Sequence, residues 1–218
     1  MRIKNRVYAV AAAASAAALL VTGCSSGDSN DNAASATPTT SAASPGDTAV
    51  AGDCATPSGK VTDANHQPGE PTFGLLTLPG WDRVTSADSD VVRLAVRNAD
   101  LQSGNFSPNA VVTVEKSPVS DIESETERQI DGLKQSTVSP TDIKTEAPTT
   151  TCGFPSQTLT YSMKNQAGSM SSVTATIFMV PNATGSTVAV LTMQTTEPDN
   201  EEYQAAVKQM IEEFQIEK

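Results

Sequence analysis

The chain has 218 residues, 38% of them hydrophobic, with 14 Lys or Arg against 25 Asp or Glu and a formal charge of −11. That length holds one domain plus a tail, or at most two small domains. The acidic balance argues against nucleic acid as a partner, because basic patches supply most of that binding, and against adsorption on anionic lipid headgroups.

Residues 1–23 have the layout of an export signal. Arg2, Lys4 and Arg6 precede an apolar segment, Val7 to Val21, that is too short and too rich in alanine to span a bilayer. It ends in Val21-Thr22-Gly23-Cys24: an aliphatic residue, a small polar one, a glycine, then a cysteine. This stretch resembles the lipobox of bacterial lipoproteins. The resemblance implies diacylglycerol on the Cys24 thiol, cleavage before Cys24, and a chain lipid-anchored to the extracytoplasmic face of the cell membrane. The alternative is a secretory signal cut elsewhere, with Cys24 incidental. The signal holds three of the 14 basic residues and none of the 25 acidic ones, which leaves a formal charge of −14 on the remainder.

With Cys24 assigned to lipid, Cys54 and Cys152 remain. Two thiols left in an exported chain are most simply a disulfide, closing a loop worth up to ~4.7 kcal/mol in the chain-entropy model. The other reading is free thiols, but no His, Lys or Arg flanks them to lower their pKa.

The lipidated cysteine and a tether occupy 24–69. Residues 25–53 are Ser, Ala, Thr, Asp, Asn, Gly and Pro with almost no large apolar side chain, so they read as a disordered linker spanning roughly 30 Å. The Asp28–Asn32 patch lacks the downstream Gly and Glu of a calcium loop. Residues 54–70 still look loop-like, and His66, the single histidine, has no partner at ligand spacing and reads as a surface-loop residue.

The folded domain is expected over 70–218. Phe73–Leu78 reads as a short apolar strand stopped by Pro79-Gly80, with Trp81 directly after it. Val91–Arg97 and Ala110–Lys116 alternate apolar and polar residues, as half-buried antiparallel strands do. The polar segment Asn98–Pro108 between them either covers something or merely connects. A helix follows Pro118, capped by Ser120 or Asp121, with a thin apolar stripe of Val119, Ile122, Thr126, Ile130 and Leu133 and a glycine, Gly132, inside it. A short strand is possible at Asp142–Ala147, and Cys152-Gly153-Phe154-Pro155 forms a tight corner. Thr158–Met163, Ser172–Val180 and Thr187–Thr195 alternate again, with turn residues between them. A last helix runs from about Asn200 to Glu213, started by Asp199 with Glu202, and its stripe is Tyr203, Val207, Met210, Ile211 and Phe214. The order of elements predicts an α+β fold, a single antiparallel sheet flanked by helices.

The lipobox, the tether, the Leu78-Pro79-Gly80-Trp81 junction, the long strand hairpin and the C-terminal amphipathic helix together resemble the LpqN/LpqT-type lipoproteins of mycobacteria and relatives, over roughly residues 70–218. The resemblance implies a PsbP-like α/β/α sandwich in a cell envelope, and an association with envelope assembly and partner binding without an agreed catalytic site. The Cys54–Cys152 pair is not part of it and stands on the local argument.

Catalytic constellations are sparse. One histidine leaves a Ser-His-Asp triad dependent on His66, and no Gly-x-Ser-x-Gly, Ser-x-x-Lys or His-Glu-x-x-His occurs. No catalytic residue, metal or cofactor is expected. Asp88 and Asp90 would serve glycoside chemistry only in a cleft that perturbs their pKa values. Trp81 is the candidate for contact with a partner or ligand, set against the reading that it plugs the core. Met163, Met170, Met179, Met193 and Met210 either line an adaptable surface or simply pack. The expectation is a non-enzymatic binding module in envelope assembly, contacting envelope proteins or lipid. A lipid or glycolipid carrier is the alternative, and an acid-catalysed hydrolase comes third.

Overall fold

The computed structural model describes residues 54–137, 140–165 and 168–218; the signal, Cys24 and the linker to residue 53 lie outside them. The elements run β1 (Val61–Asp63), β2 (Thr72–Leu76), β3 (Trp81–Arg83), a 3-10 turn (Thr85–Ala87), β4 (Val92–Asn98), β5 (Asn109–Ser117), α1 (Ile122–Gln135), β6 (Thr141–Thr145), β7 (Thr149–Thr151), β8 (Phe154–Lys164), β9 (Met170–Asn182), β10 (Gly185–Thr195), α2 (Glu201–Glu212) and β11 (Gln215–Glu217).

Eight of these strands form an antiparallel sheet in the order β3-β4-β5-β10-β9-β8-β6, with β7 also pairing to β8. Its centre is the hairpin of β9 and β10, paired from Ser172 against Thr195 to Asn182 against Gly185. The turn depends on Gly185, whose φ is 140°. A side chain there would drive its Cβ into the Ser117 carbonyl oxygen. The corner at Cys152 is a two-residue hairpin turn: Thr151 pairs with Phe154, and Cys152 and Gly153 have φ of 52° and 77°. Positive φ at both central residues is the geometry that suits the twist of the flanking strands.

Alternation along the strands, interrupted by register shifts at Val92–Leu94 and Thr141–Lys144, gives the sheet two apolar faces. One face, with Leu159, Tyr161, Val173, Ile177 and Val188, packs under Ile122, Ile130 and Leu133 of α1. The other face, with Leu94, Val112, Phe178, Leu191 and Met193, packs under Tyr203, Ala206 and Met210 of α2. The fold is α+β with helices on both sides, as expected.

The sequence reading differs from the structure in one large respect. A second, three-stranded sheet, β1-β2-β11, lies beside α2. It closes the core with Phe73 and Phe214, and the Phe214 ring stacks on Phe178 at 4.1 Å between centroids. Residues 54–69, assigned to the tether, therefore belong in good part to the folded domain. The chain enters it at Cys54 and pairs β1 on the edge of β2.

Helix starts follow local chemistry. Asp121 caps α1 by accepting from the Ser124 amide at 2.8 Å. The cap of α2 is Asn200, which accepts from the Tyr203 amide at 2.9 Å, and not Asp199. Both side chains satisfy an amide that has no carbonyl partner inside its helix.

Candidate functional site

The cysteine pairing holds: Cys54 and Cys152 are joined, with 4.1 Å between their Cα atoms and 98 residues of sequence separation. Their sulfurs lie 3.7 Å and 3.4 Å from the carbonyl oxygens of Ile216 and Phe214. The bridge thus ties the start of the domain to both the β7–β8 turn and the C-terminal strand.

Trp81 is 4% exposed and sits 6.5 Å from the Tyr203 ring. It seals one end of the core under α2 and offers no face to a partner, which corrects its candidacy as a contact residue. Burial lifts the Tyr203 hydroxyl well above the usual phenol range. Burial likewise pushes Tyr161, on the α1 side, up to about 12. His66 is exposed in its loop. The Asn98–Pro108 segment is a connector whose ends are joined by the Asn98 amide donating to the Pro108 carbonyl at 2.9 Å, with further ties inside it. Asn98 Oδ1 accepts from the amides of Asp100 and Leu101, and Ser103 Oγ donates to Glu197 at 2.7 Å.

The carboxylates that converge are tied up in the fold. Asp88 pairs with Arg83 at 2.8 Å and accepts from Asn65 Nδ2 at 3.0 Å, while Asp90 lends its backbone carbonyl to Arg93 Nε. Arg93, itself buried, also pairs with Glu70 at 3.4 Å. The densest cluster joins α1 to β5. Glu125 is 0% exposed and accepts from Ser117 Oγ at 2.6 Å, from Arg128 Nε at 2.9 Å and from Gln129 Nε2 at 2.8 Å. Arg128 also reaches Glu115. The hydrogen bond to Glu125, then the pairing with Glu115, raise the already high Arg128 pKa further, so the guanidinium is permanently charged. With donors occupying both Glu125 oxygens, this group anchors a helix and has no lone pair directed at a substrate.

Sequence inspection missed this cluster. Its one trace was a helix whose apolar stripe was too thin to account for its packing, with Glu125 and Thr126 standing where apolar residues would be expected. Thr126 is buried and donates to Gln157 at 2.7 Å.

The methionines do not line a common cavity. Met163 and Met179 pack on the α1 side of the sheet, Met193 and Met210 on the α2 side, and Met170 is exposed at the start of β9. A cleft of about 220 Å³ lies on the outer face of the small sheet, floored by Gly74 and walled by Val61, Asp63, Gln215 and Glu217. It is smaller than the ~300 Å³ at which ordinary ligand pockets begin, and its walls carry carboxylates. The carrier reading therefore gains no site from either feature. A more extended polar surface exists on β8 and β9, on the sheet face opposite α1. There Thr158, Thr160, Ser162, Ser172 and Thr174 are half-buried in adjacent rows.

No protein-family model and no curated protein matches the chain. Among solved structures, it is similar to the crystal structure of LpqN, involved in cell envelope biogenesis of Mycobacterium tuberculosis. The TM-score is 0.54 at 19% identity, covering 73% of this chain and 91% of that one. The solution structure of cyanobacterial PsbP (CyanoP) from Synechocystis sp. PCC 6803 superposes with a TM-score of 0.48 at 14% identity, covering 80% of this chain and 98% of that one. The chain has an LpqN-like fold.

Proposed function

We propose that the chain is exported, lipidated on Cys24 and cleaved before it, and that its folded domain acts as a non-enzymatic accessory module in cell-envelope assembly. The observation that carries this reading is the bookkeeping of thiols. Of three cysteines, two are paired with each other, and the third closes the lipobox-like stretch Val21–Cys24. A disulfide suits an oxidising extracytoplasmic compartment. The description of the LpqN neighbour as involved in envelope biogenesis is in keeping with this role, although at 19% identity the likeness reaches only the fold.

As a binding module the domain works through its surface. Trp81 is spent on packing, so the half-exposed hydroxyl rows of β8 and β9 are the surface we assign to contact with a polar envelope component. The titratable clusters serve to hold helices and loops to the sheet.

Metabolic labelling with a palmitate analogue tests the anchor. The label is expected on the full chain and lost with Cys24→Ser, which also moves the protein out of the membrane fraction. An unlabelled chain, or unchanged fractionation of Cys24→Ser, overturns the anchoring. Cross-linking in cells then tests the module: an envelope component captured through Thr160 or Thr174 supports it, and hydrolysis of a cell-wall glycan by the purified chain refutes it.

A further inference from the structure

The first ten described residues are fastened to the domain in an unusual way. Residues 54–60 contain no strand or helix and lie along the α2–β11 junction. Their polar ties are few: the Ser58 amide donates to Glu213, Gln209 Nε2 donates to Ser58 Oγ at 2.7 Å, and Gln215 Nε2 donates to the Ala55 carbonyl at 2.9 Å. All three bonds are exposed, and such bonds contribute little net stability. β1 then adds three paired residues on the outer edge of β2, and the Thr77 amide donates to the Lys60 carbonyl at 2.7 Å. From Cys54 to Asp63 no side chain is fully buried; Ala64 is the first that is.

What this segment covers is different in kind. Leu76, 1% exposed, belongs to neither large apolar cluster, and a Cβ added at Gly59 would meet Leu76 Cδ1 at 3.5 Å. β2 itself remains held from its other side by β11, with Phe73 against Phe214. The covering segment is weakly held, the covered strand is strongly held, and the one strong fastening between the segment and the domain is the Cys54–Cys152 bond.

We propose that residues 54–63 are a redox-released strap. Two-electron reduction of Cys54–Cys152 by a dithiol frees the strap and β1 from β2, while the eight-stranded sheet, both helices and the β2–β11 pair stay folded. In the exchange the protein S–S bond becomes two thiols and the reductant's two thiols become a disulfide, so electrons and protons balance. Release bares the outer edge of β2, with its unpaired backbone groups, and the Leu76 side chain beside it. An edge of that kind is a template for strand addition. Segments with few buried contacts open at low free energy, and here a covalent bond suppresses that opening.

Amide hydrogen exchange on the full chain tests the strap, with dithiothreitol as the reductant. A Cys54→Ser/Cys152→Ser variant supplies the open state without any reductant. Both are expected to exchange at least tenfold faster over 54–63 and at Thr77, with β8–β10 and α1 unchanged. Two outcomes overturn the proposal. If 54–63 stays protected after the bond is broken, the polar ties suffice and there is no strap. If protection falls across β8–β10 as well, the bond is a global staple and not a local lock.

Discussion

Arg128→Met is the sharpest test of how α1 is held. The substitution keeps most of the apolar stem and removes the charge, leaving Glu125, which is 0% exposed, with only the neutral donors Ser117 and Gln129. Breaking a buried pair from one side typically costs 3–5 kcal/mol. The Arg128 side chain is 38% exposed, however, so water partly replaces it, and the expected loss is about 2 kcal/mol. With a urea m-value of about 2 kcal/mol/M, the midpoint should fall by about 1 M. Trp81, the only tryptophan and buried in the core, reports the transition by fluorescence. Glu125→Gln/Arg128→Met should recover at least half of the loss, because it removes the stranded charge. A midpoint shift below about 0.2 M for Arg128→Met, or a double variant no better than the single one, would refute the idea that the ion cluster fastens α1 to β5.

Three further outcomes are expected. Gly132→Ala should stabilise the domain by about 1 kcal/mol in the same urea assay, since Gly132 sits inside α1 and nothing lies within 4 Å of the added Cβ. Gly185→Ala should destabilise it by about 2 kcal/mol, because φ at 140° strains any other residue and the new Cβ meets the Ser117 carbonyl. The third concerns pH. The Ser124 amide holds the Asp121 pKa below its usual 3.8, and the Ser58 amide holds that of Glu213 below 4.5. A depressed carboxylate adds stability above its unfolded pKa and loses it as pH falls through the folded one. Asp121→Ala should therefore lower Tm at pH 7, with the gap to wild type closing below pH 3.8; a gap that persists into stronger acid refutes the charged cap.

The strands of the large sheet were legible where apolar and polar residues alternate: β4, β5, β8, β9 and β10 lie within a few residues of the positions that pattern marks. The Cys54–Cys152 pairing followed from export and elimination. The small sheet was not legible. β1 and β11 are three residues each, too short to show a period, and they lie at opposite ends of the domain's sequence, each held only by its pairing with β2. β7, a run of three threonines, reads as loop until β8 is beside it. Glu125 defied its residue type: a buried carboxylate becomes intelligible only when Ser117, Arg128 and Gln129, from two elements, are seen around it. Trp81 was open to two readings because a Pro-Gly junction leaves its direction undetermined, and the position of Tyr203 decides it.

The two ends of the described chain emerge near each other. Cys54 is stapled next to Phe214 and Ile216, and Lys218 donates to the Pro181 carbonyl at the far end of β9. A fluorescent protein or affinity handle appended after Lys218 would consequently crowd the same flank from which the N-terminal segment departs. The surface of α1, on the reverse of the sheet, would be left clear, which makes an insertion near its C-terminal turn the wiser choice when the flank of the small sheet must stay accessible.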